Sequence, residues 1–190
     1  MALPAATAFP AEGPAWSVSQ GEVRVICPLT VGGSFEAKTP SIAGIVAVTT
    51  PHPAAFGGDL TVDLRTLDTG IDLRTDHLRE EYLEVGRGQG FDRAVLSDIH
   101  LGDVDADTFQ GRTRFTGMLL LHGTKKDISG QAEVRREGPS VRIEATFPIV
   151  LADHGIPKPQ YLGVGVKSQV QVKVSFVATP VATTSAGGSR

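Results

Sequence analysis

The chain has 190 residues, 41% hydrophobic and 21% charged, with a formal net charge of −3. That length carries one domain with a sizeable core, and the interspersed charges lack both the basic stripe expected of a nucleic-acid partner and a polybasic patch for anionic lipid. The single cysteine, Cys27, excludes an intramolecular disulfide and any Cys-pair metal site.

Residues 1–15 are a Pro/Ala-rich lead-in with no basic n-region and no apolar h-region, and as written they are not read as a signal peptide. Val23, Val25 and Cys27 alternate with Glu22, Arg24 and Ile26, which predicts a first strand. Ser41 to Thr50 is small and β-branched and predicts a second, ending in loop chemistry at P-H-P-A-A-F-G-G. Asp59 to Arg65 alternates again, with Leu60, Val62 and Leu64 inward. The period then changes. From Asp76 to Val85, Leu78, Tyr82 and Val85 fall near helical spacing, with Asp76 as N-cap and Gly86 as C-cap.

Phe91 to Leu101 predicts the next strand, after G-R-G-Q-G. From Gly111 to Leu151 the alternation is almost unbroken. Thr113, Phe115, Gly117, Leu119 and Leu121 share one face, then Ile128, Gly130, Ala132 and Val134, then Val141, Ile143, Ala145, Phe147, Ile149 and Leu151. Arg112, Arg114, Asp127, Gln131, Glu133, Arg135, Arg142 and Glu144 take the opposite faces. Three long strands in a row, each with one dry face, predict an antiparallel meander that encloses something. Gln169 to Val177 is the last strand, with Val170, Val172, Val174 and Phe176 together. A barrel domain is expected over 16–178, with residues 179–190 a small, polar tail.

About eight long strands and one short helix predict an all-β fold, an eight-stranded antiparallel barrel, because edges this apolar invite aggregation and closure removes them. Its height is roughly 25–30 Å at about 3.3 Å per residue and a tilt near 40°. No apolar run approaches the roughly 20 residues a membrane-spanning helix needs.

The chemistry-bearing motifs weaken on inspection. G-R-G-Q-G-F fails the dinucleotide fingerprint, since Phe91 stands where the third glycine belongs and a helix precedes it. Gly163-V-G-V-K-S fails as a phosphate loop because no glycine precedes Lys167. His77 and Glu81 share a helix face, but the zincin pattern needs a second histidine there. Asp153-His154 and His122 fall at turns, and no G-x-S-x-G elbow exists. Cys27 has the parity of a core residue. Phe115, Leu119, Phe147 and Val172 either fill a packed barrel or line an open one. The small residues among them, Gly117, Gly130, Ala132 and Ala145, favour a partly open lumen.

Three blocks carry a resemblance to the YceI-like family. Leu67 to Glu84, L-D-T-G-I-D-L-R-T-D-H-L-R-E-E-Y-L-E, is similar to its D-T-G turn and R-x-x-H-L helix entry. Leu119 to Ile128, L-L-L-H-G-T-K-K-D-I, resembles its L-x-x-H-G-x-x-K hairpin, with Thr124-Lys125-Lys126 where a valine is common. F-P-I-V-L-A-D-H-G-I and V-K-S-Q-V-Q-V-K-V-S-F resemble its closing strands, and Gly33-Ser-Phe35 and Ala43-Gly-Ile45 its N-terminal pattern. The resemblance spans about Trp16 to Ala178. It implies an extended lipocalin-like barrel that holds a long amphiphile such as a polyisoprenoid or an isoprenoid quinone (ubiquinone among them), and it allows a homodimer. It also implies a periplasmic location if a signal peptide has been removed, and a cytoplasmic one otherwise.

The resulting expectation is a non-enzymatic carrier or store for an isoprenoid-type lipid, with no catalytic residues, metal or cofactor beyond that ligand. Its tail would lie along Leu64, Phe115, Leu119, Leu121, Ile143, Phe147, Val170 and Val172, with Phe91 also in the site. Leu78, Tyr82 and Leu83 would cap one mouth. The alternatives are a small hydrolase or isomerase using Asp153, His154 or the His77/Glu81 pair at the mouth, and a filled structural barrel.

Overall fold

The computed structural model describes residues 14–19, 21–102, 104, 108, 110–161 and 164–181. The lead-in before residue 14, Gly163 of the rejected phosphate loop, and the tail after residue 181 lie outside the described residues.

Ten strands make one sheet: β1 (Ala15–Val18), β2 (Gly21–Pro28), β3 (Ser34–Thr39), β4 (Ile42–Thr50), β5 (Ala55–Asp63), β6 (Arg93–Leu101), β7 (Gly111–Leu121), β8 (Thr124–Glu137), β9 (Ser140–Val150) and, last in the chain, β12 (Gln169–Pro180). The short hairpin β10 (Gln160–Tyr161) and β11 (Val164–Gly165) stands apart. Neighbours pair antiparallel in the order β1-β4-β5-β6-β7-β8-β9-β12, and β1 also pairs with β12, so the sheet closes. β2 and β3 extend the ring without adding to it. Val18 pairs with Gly44 and Val23 with Thr39 in one continuous register, so β1 with β2, and β3 with β4, are two interrupted staves. Among the described residues the barrel has eight staves, as the sequence predicts.

The meander from Gly111 follows the expected faces. Thr113, Phe115, Gly117, Leu119 and Leu121 are buried, while Arg112, Arg114 and Thr116 are exposed. Leu121 pairs with Thr124 across a two-residue turn in which His122 (φ 51°) and Gly123 (φ 72°) both take positive φ, the backbone that matches the twist of the flanking strands.

Four expectations change. β5 begins at Ala55, inside the stretch expected to be loop. The reason is close packing: a Cβ on Gly44 would lie 2.0 Å from the Asp59 carbonyl oxygen, and one on Gly58 (φ 98°) 2.2 Å from that of Ile45. These glycines let β4 and β5 approach, and the pairing of β5 with β6 bulges at the same place. β1, too short to show a period, and β3, whose alternation is brief, are additional strands. β12 runs to Pro180, two residues into the expected tail. The helix starts earlier, as α1 (Asp72–Asp76), and continues as a π-helical turn over His77–Tyr82. Asp76 therefore lies within it rather than capping it. Upstream, the Thr75 hydroxyl accepts from the Thr69 amide at 3.0 Å and donates to Asp68 Oδ1 at 3.2 Å, which folds the D-T-G turn onto the helix. At the other end the Leu83 amide donates to the Leu78 carbonyl, an i→i+5 bond that puts both side chains on the barrel side. Gly86 sits in the following 3₁₀ turn (Val85–Arg87), not at the helix end.

Candidate functional site

The inward faces of the staves enclose a cavity of about 240 Å³. No charged side chain lines it, and among the described lining residues only Trp16, Cys27 and Tyr82 carry a polar side-chain atom. Burial pushes the Cys27 thiol up to about 11, against an opposing pull from Arg74, so it faces the lumen as a small protonated hydrophobe. Phe115 and Phe147 meet edge to face at 5.7 Å and line the cavity without closing it. The small residues divide. Ala132 and Ala145 face the lumen, as the sequence suggests. Gly130 and Gly117 instead make room for side chains: a Cβ on Gly130 would lie 2.7 Å from the Phe115 ring, and one on Gly117 2.8 Å from Leu96.

Eleven of the twelve predicted site residues line this lumen: Leu64, Leu78, Tyr82, Leu83, Phe115, Leu119, Leu121, Ile143, Phe147, Val170 and Val172. Phe91 does not. Its ring packs against His122 at 4.8 Å under the Arg87 guanidinium, because Arg93 and not Phe91 opens β6.

One end of the barrel opens into a second chamber of about 500 Å³. The two share Phe35, Leu78, Tyr82, Pro159 and Val166 as lining residues, so they adjoin. The helix forms one wall and β10–β11 another. Paired 2.8 Å backbone bonds between Lys38 and Asp68 hold the helical segment to β3. A 2.8 Å bond from the Thr30 amide to Gly165 ties the β2–β3 turn to β10–β11. Here the polar groups collect: Arg74, His77 and Gln160 join Tyr82. Phe35 and Arg74 are site residues that the sequence reading missed. Phe35 had a weak signal, the short alternation F-E-A-K-T. Arg74 is the arginine of the R-x-x-H-L block, which carries the family resemblance without telling which surface the side chain faces.

The residues weighed for catalysis sit elsewhere. His77 lies 3.7 Å from Glu81 on the helix and borders the mouth chamber. Asp153, His154 and His122 line neither cavity. His154, 2% exposed, turns Nδ1 to the Thr124 carbonyl at 3.3 Å. His122 holds Nδ1 3.0 Å from the His154 carbonyl and Nε2 2.9 Å from Glu84 Oε2, so both ring nitrogens have a partner. Arg87 and, secondarily, His122 hold the Glu84 carboxyl below its usual range. This clamp joins three connections at the open end: the helical segment, the β7–β8 turn and the 3₁₀ turn after β9. Among the described residues no three His, Cys, Asp or Glu side chains are grouped to hold a metal.

An up-and-down barrel closed through its first and last staves, with an apolar lumen open at one end, is lipocalin-like in architecture. The chain belongs to the YceI-like domain family, whose sequence profile matches residues 16–178, the span of the resemblance read from the sequence. No curated protein matches the chain. Among solved structures it is similar to a polyisoprenoid binding domain from Saccharophagus degradans implicated in plant cell wall breakdown. Identity there is 17%, coverage 87% of this chain and 98% of the other, and the TM-score 0.64. Burkholderia cenocepacia BcnA is 19% identical over 83% of this chain and 96% of its own, with a TM-score of 0.62. The Campylobacter jejuni YCEI protein is 15% identical over 75% and 82%, with a TM-score of 0.52. At these identities the likeness is one of fold.

Proposed function

We propose that the protein binds a long amphiphilic lipid of isoprenoid type, a polyisoprenoid or an isoprenoid quinone, and acts as its carrier or store. The tail lies along the lumen and the head rests in the mouth chamber. The observation that carries this reading is an apolar lumen, without a charged lining residue, that adjoins a mouth chamber bordered by Arg74, His77, Gln160 and Tyr82. Burial of a tail contributes about 25 cal/mol per Å² of apolar surface, less the cost of ordering it. The polyisoprenoid binding domain from Saccharophagus degradans, alike in fold, supports the same class of ligand. A catalytic reading requires its candidate groups to converge on substrate, and only His77 borders the mouth, which favours binding without chemistry.

Trp16, the only tryptophan, lines the lumen beside Phe56 and serves as the reporter. We expect native mass spectrometry of protein expressed in bacteria to show one bound lipid per barrel, and added ubiquinone to quench Trp16 fluorescence saturably in the delipidated protein. Absence of both would overturn the proposal. The same spectrum reports the number of subunits.

A further inference from the structure

Among the described residues seven large apolar side chains are exposed, and four of them stand at the open end of the barrel: Val31 (72%), Ile71 (54%), Leu73 (60%) and Val164 (38%). They come from three separate connections. Val31 is at the tip of the β2–β3 turn, which bonds between Thr30 and Gly165 fasten to the hairpin that carries Val164. Ile71 and Leu73 open the helical segment. Ile71, Leu73 and Val164 also line the mouth chamber, beside Leu78 and Val166, which line the lumen as well. One apolar surface therefore runs from the solvent-exposed rim to the interior. The rim is poor in charge. Asp72 stands between Ile71 and Leu73, and the exposed Lys158 and Lys167 follow and precede no acidic residue next to the lining residues Pro159 and Val166. The far end differs. There the β8–β9 turn is flanked by Arg136 and by the Arg142–Glu137 ion pair.

Single exposed apolar residues are ordinary, whereas a group of them around an apolar opening marks an interaction surface. A rigid partner that met all three connections at once would plug the opening between them. A fluid hydrocarbon layer meets each side chain where it stands and leaves the opening free. We propose that this rim docks on the surface of a lipid bilayer, with its aliphatic side chains among the acyl chains, and that the ligand passes between bilayer and lumen through the docked mouth. For its cargo the proposal rests on the lumen-binding reading above. The four side chains hold about fourteen carbons, roughly those of one acyl chain, which supports reversible attachment on the order of 10⁴ M⁻¹ and not permanent anchoring. Insertion supplies the attraction, so a neutral bilayer suffices.

The test uses the full chain and vesicles of pure phosphatidylcholine. An environment-sensitive dye on Val31→Cys shifts to the blue as vesicles are added, with half the change at about 0.1–1 mM lipid, and the shift survives high salt. The same dye on Pro139→Cys, in the β8–β9 turn, does not shift. Cys27 is buried and does not compete for the label. Val31→Ser combined with Leu73→Ser weakens vesicle binding at least tenfold and slows delivery of ubiquinone from loaded vesicles to the delipidated chain by a similar factor. Should the double variant fail to fold, Val31→Ser alone, at an exposed turn tip, weakens vesicle binding about threefold or more and decides. A native chain that does not bind the vesicles, equal shifts from both labels, or undiminished vesicle binding in the folded variant overturns the proposal. A shift that follows protein concentration without vesicles, together with a dimer mass, assigns the rim to a second copy of the chain and overturns it as well. Failure of the native chain to take up ubiquinone from detergent refutes the lumen reading instead, and vesicle binding then still tests the rim.

Discussion

The lumen and the His122 clamp meet at the same end of the barrel and are built on opposite principles. The lumen is lined by side chains with almost no hydrogen-bonding capacity, and it has space left over. The clamp consists of the residues that resemble catalytic parts (His122, Glu84 and His154), and they are tied to one another and line neither chamber. The difference teaches that here the histidines and carboxylates hold connections in place, while residues that look like ordinary core form the site. A buried polar group must find a partner in the protein or forfeit its hydration. An apolar face has no hydrogen bond to satisfy and can be left for a ligand, forgoing only the packing contacts that the ligand then supplies.

The sharpest break of this comparison is on the lumen side. Phe147→Ala removes a buried ring and its edge-to-face contact with Phe115, and about 3 kcal/mol of stability is expected to go in urea unfolding. Ala132→Trp pushes an indole into the lumen from a position that now leaves room. Quinone uptake should then fall about 100-fold, near 2.7 kcal/mol, in the same Trp16 titration with the new indole's contribution subtracted from a control lacking ligand.

His122→Ala probes the other region. It releases Glu84 and the His154 carbonyl together, and about 2 kcal/mol of stability should be lost while lipid affinity stays within about twofold. If uptake collapses and stability does not, the division between the two regions is wrong. The smallest effect is a pH dependence. Glu84 is held below its ordinary value of 4.5, chiefly by Arg87. A carboxyl depressed in the folded state adds stability above its unfolded value and loses it as pH falls through the folded one. Glu84→Gln is therefore less stable than the native chain at neutral pH, and the gap closes below pH 4.5 in an acid unfolding series.

Much of this was legible beforehand. Period-two alternation from Gly111 onward determined β7, β8, β9 and β12 and the inward residues on them, because a strand with one wet face has no other way to write itself. The D-T-G and H-G-x-x-K blocks pointed to the family. What misled were residues whose local meaning depends on a neighbour. Gly57-Gly58 reads as loop, yet Gly58 serves a close approach of two strands. Asp76 reads as an N-cap, yet the helix starts at Asp72 because Asp68, Thr69 and Thr75 fold the preceding turn onto it. Phe91 was expected in the site and at the head of a strand, although β6 begins two residues later.

By itself, then, the sequence determined that the chain would alternate, close and leave a dry interior, since periodicity is a property of successive residues. Only the tertiary structure decided which glycines are space and which are contact, that Phe115 and Phe147 line the lumen, and that Phe35 and Arg74 come together at the mouth chamber. Those are relations between residues far apart in the chain, and distance in space is not written in the order of amino acids.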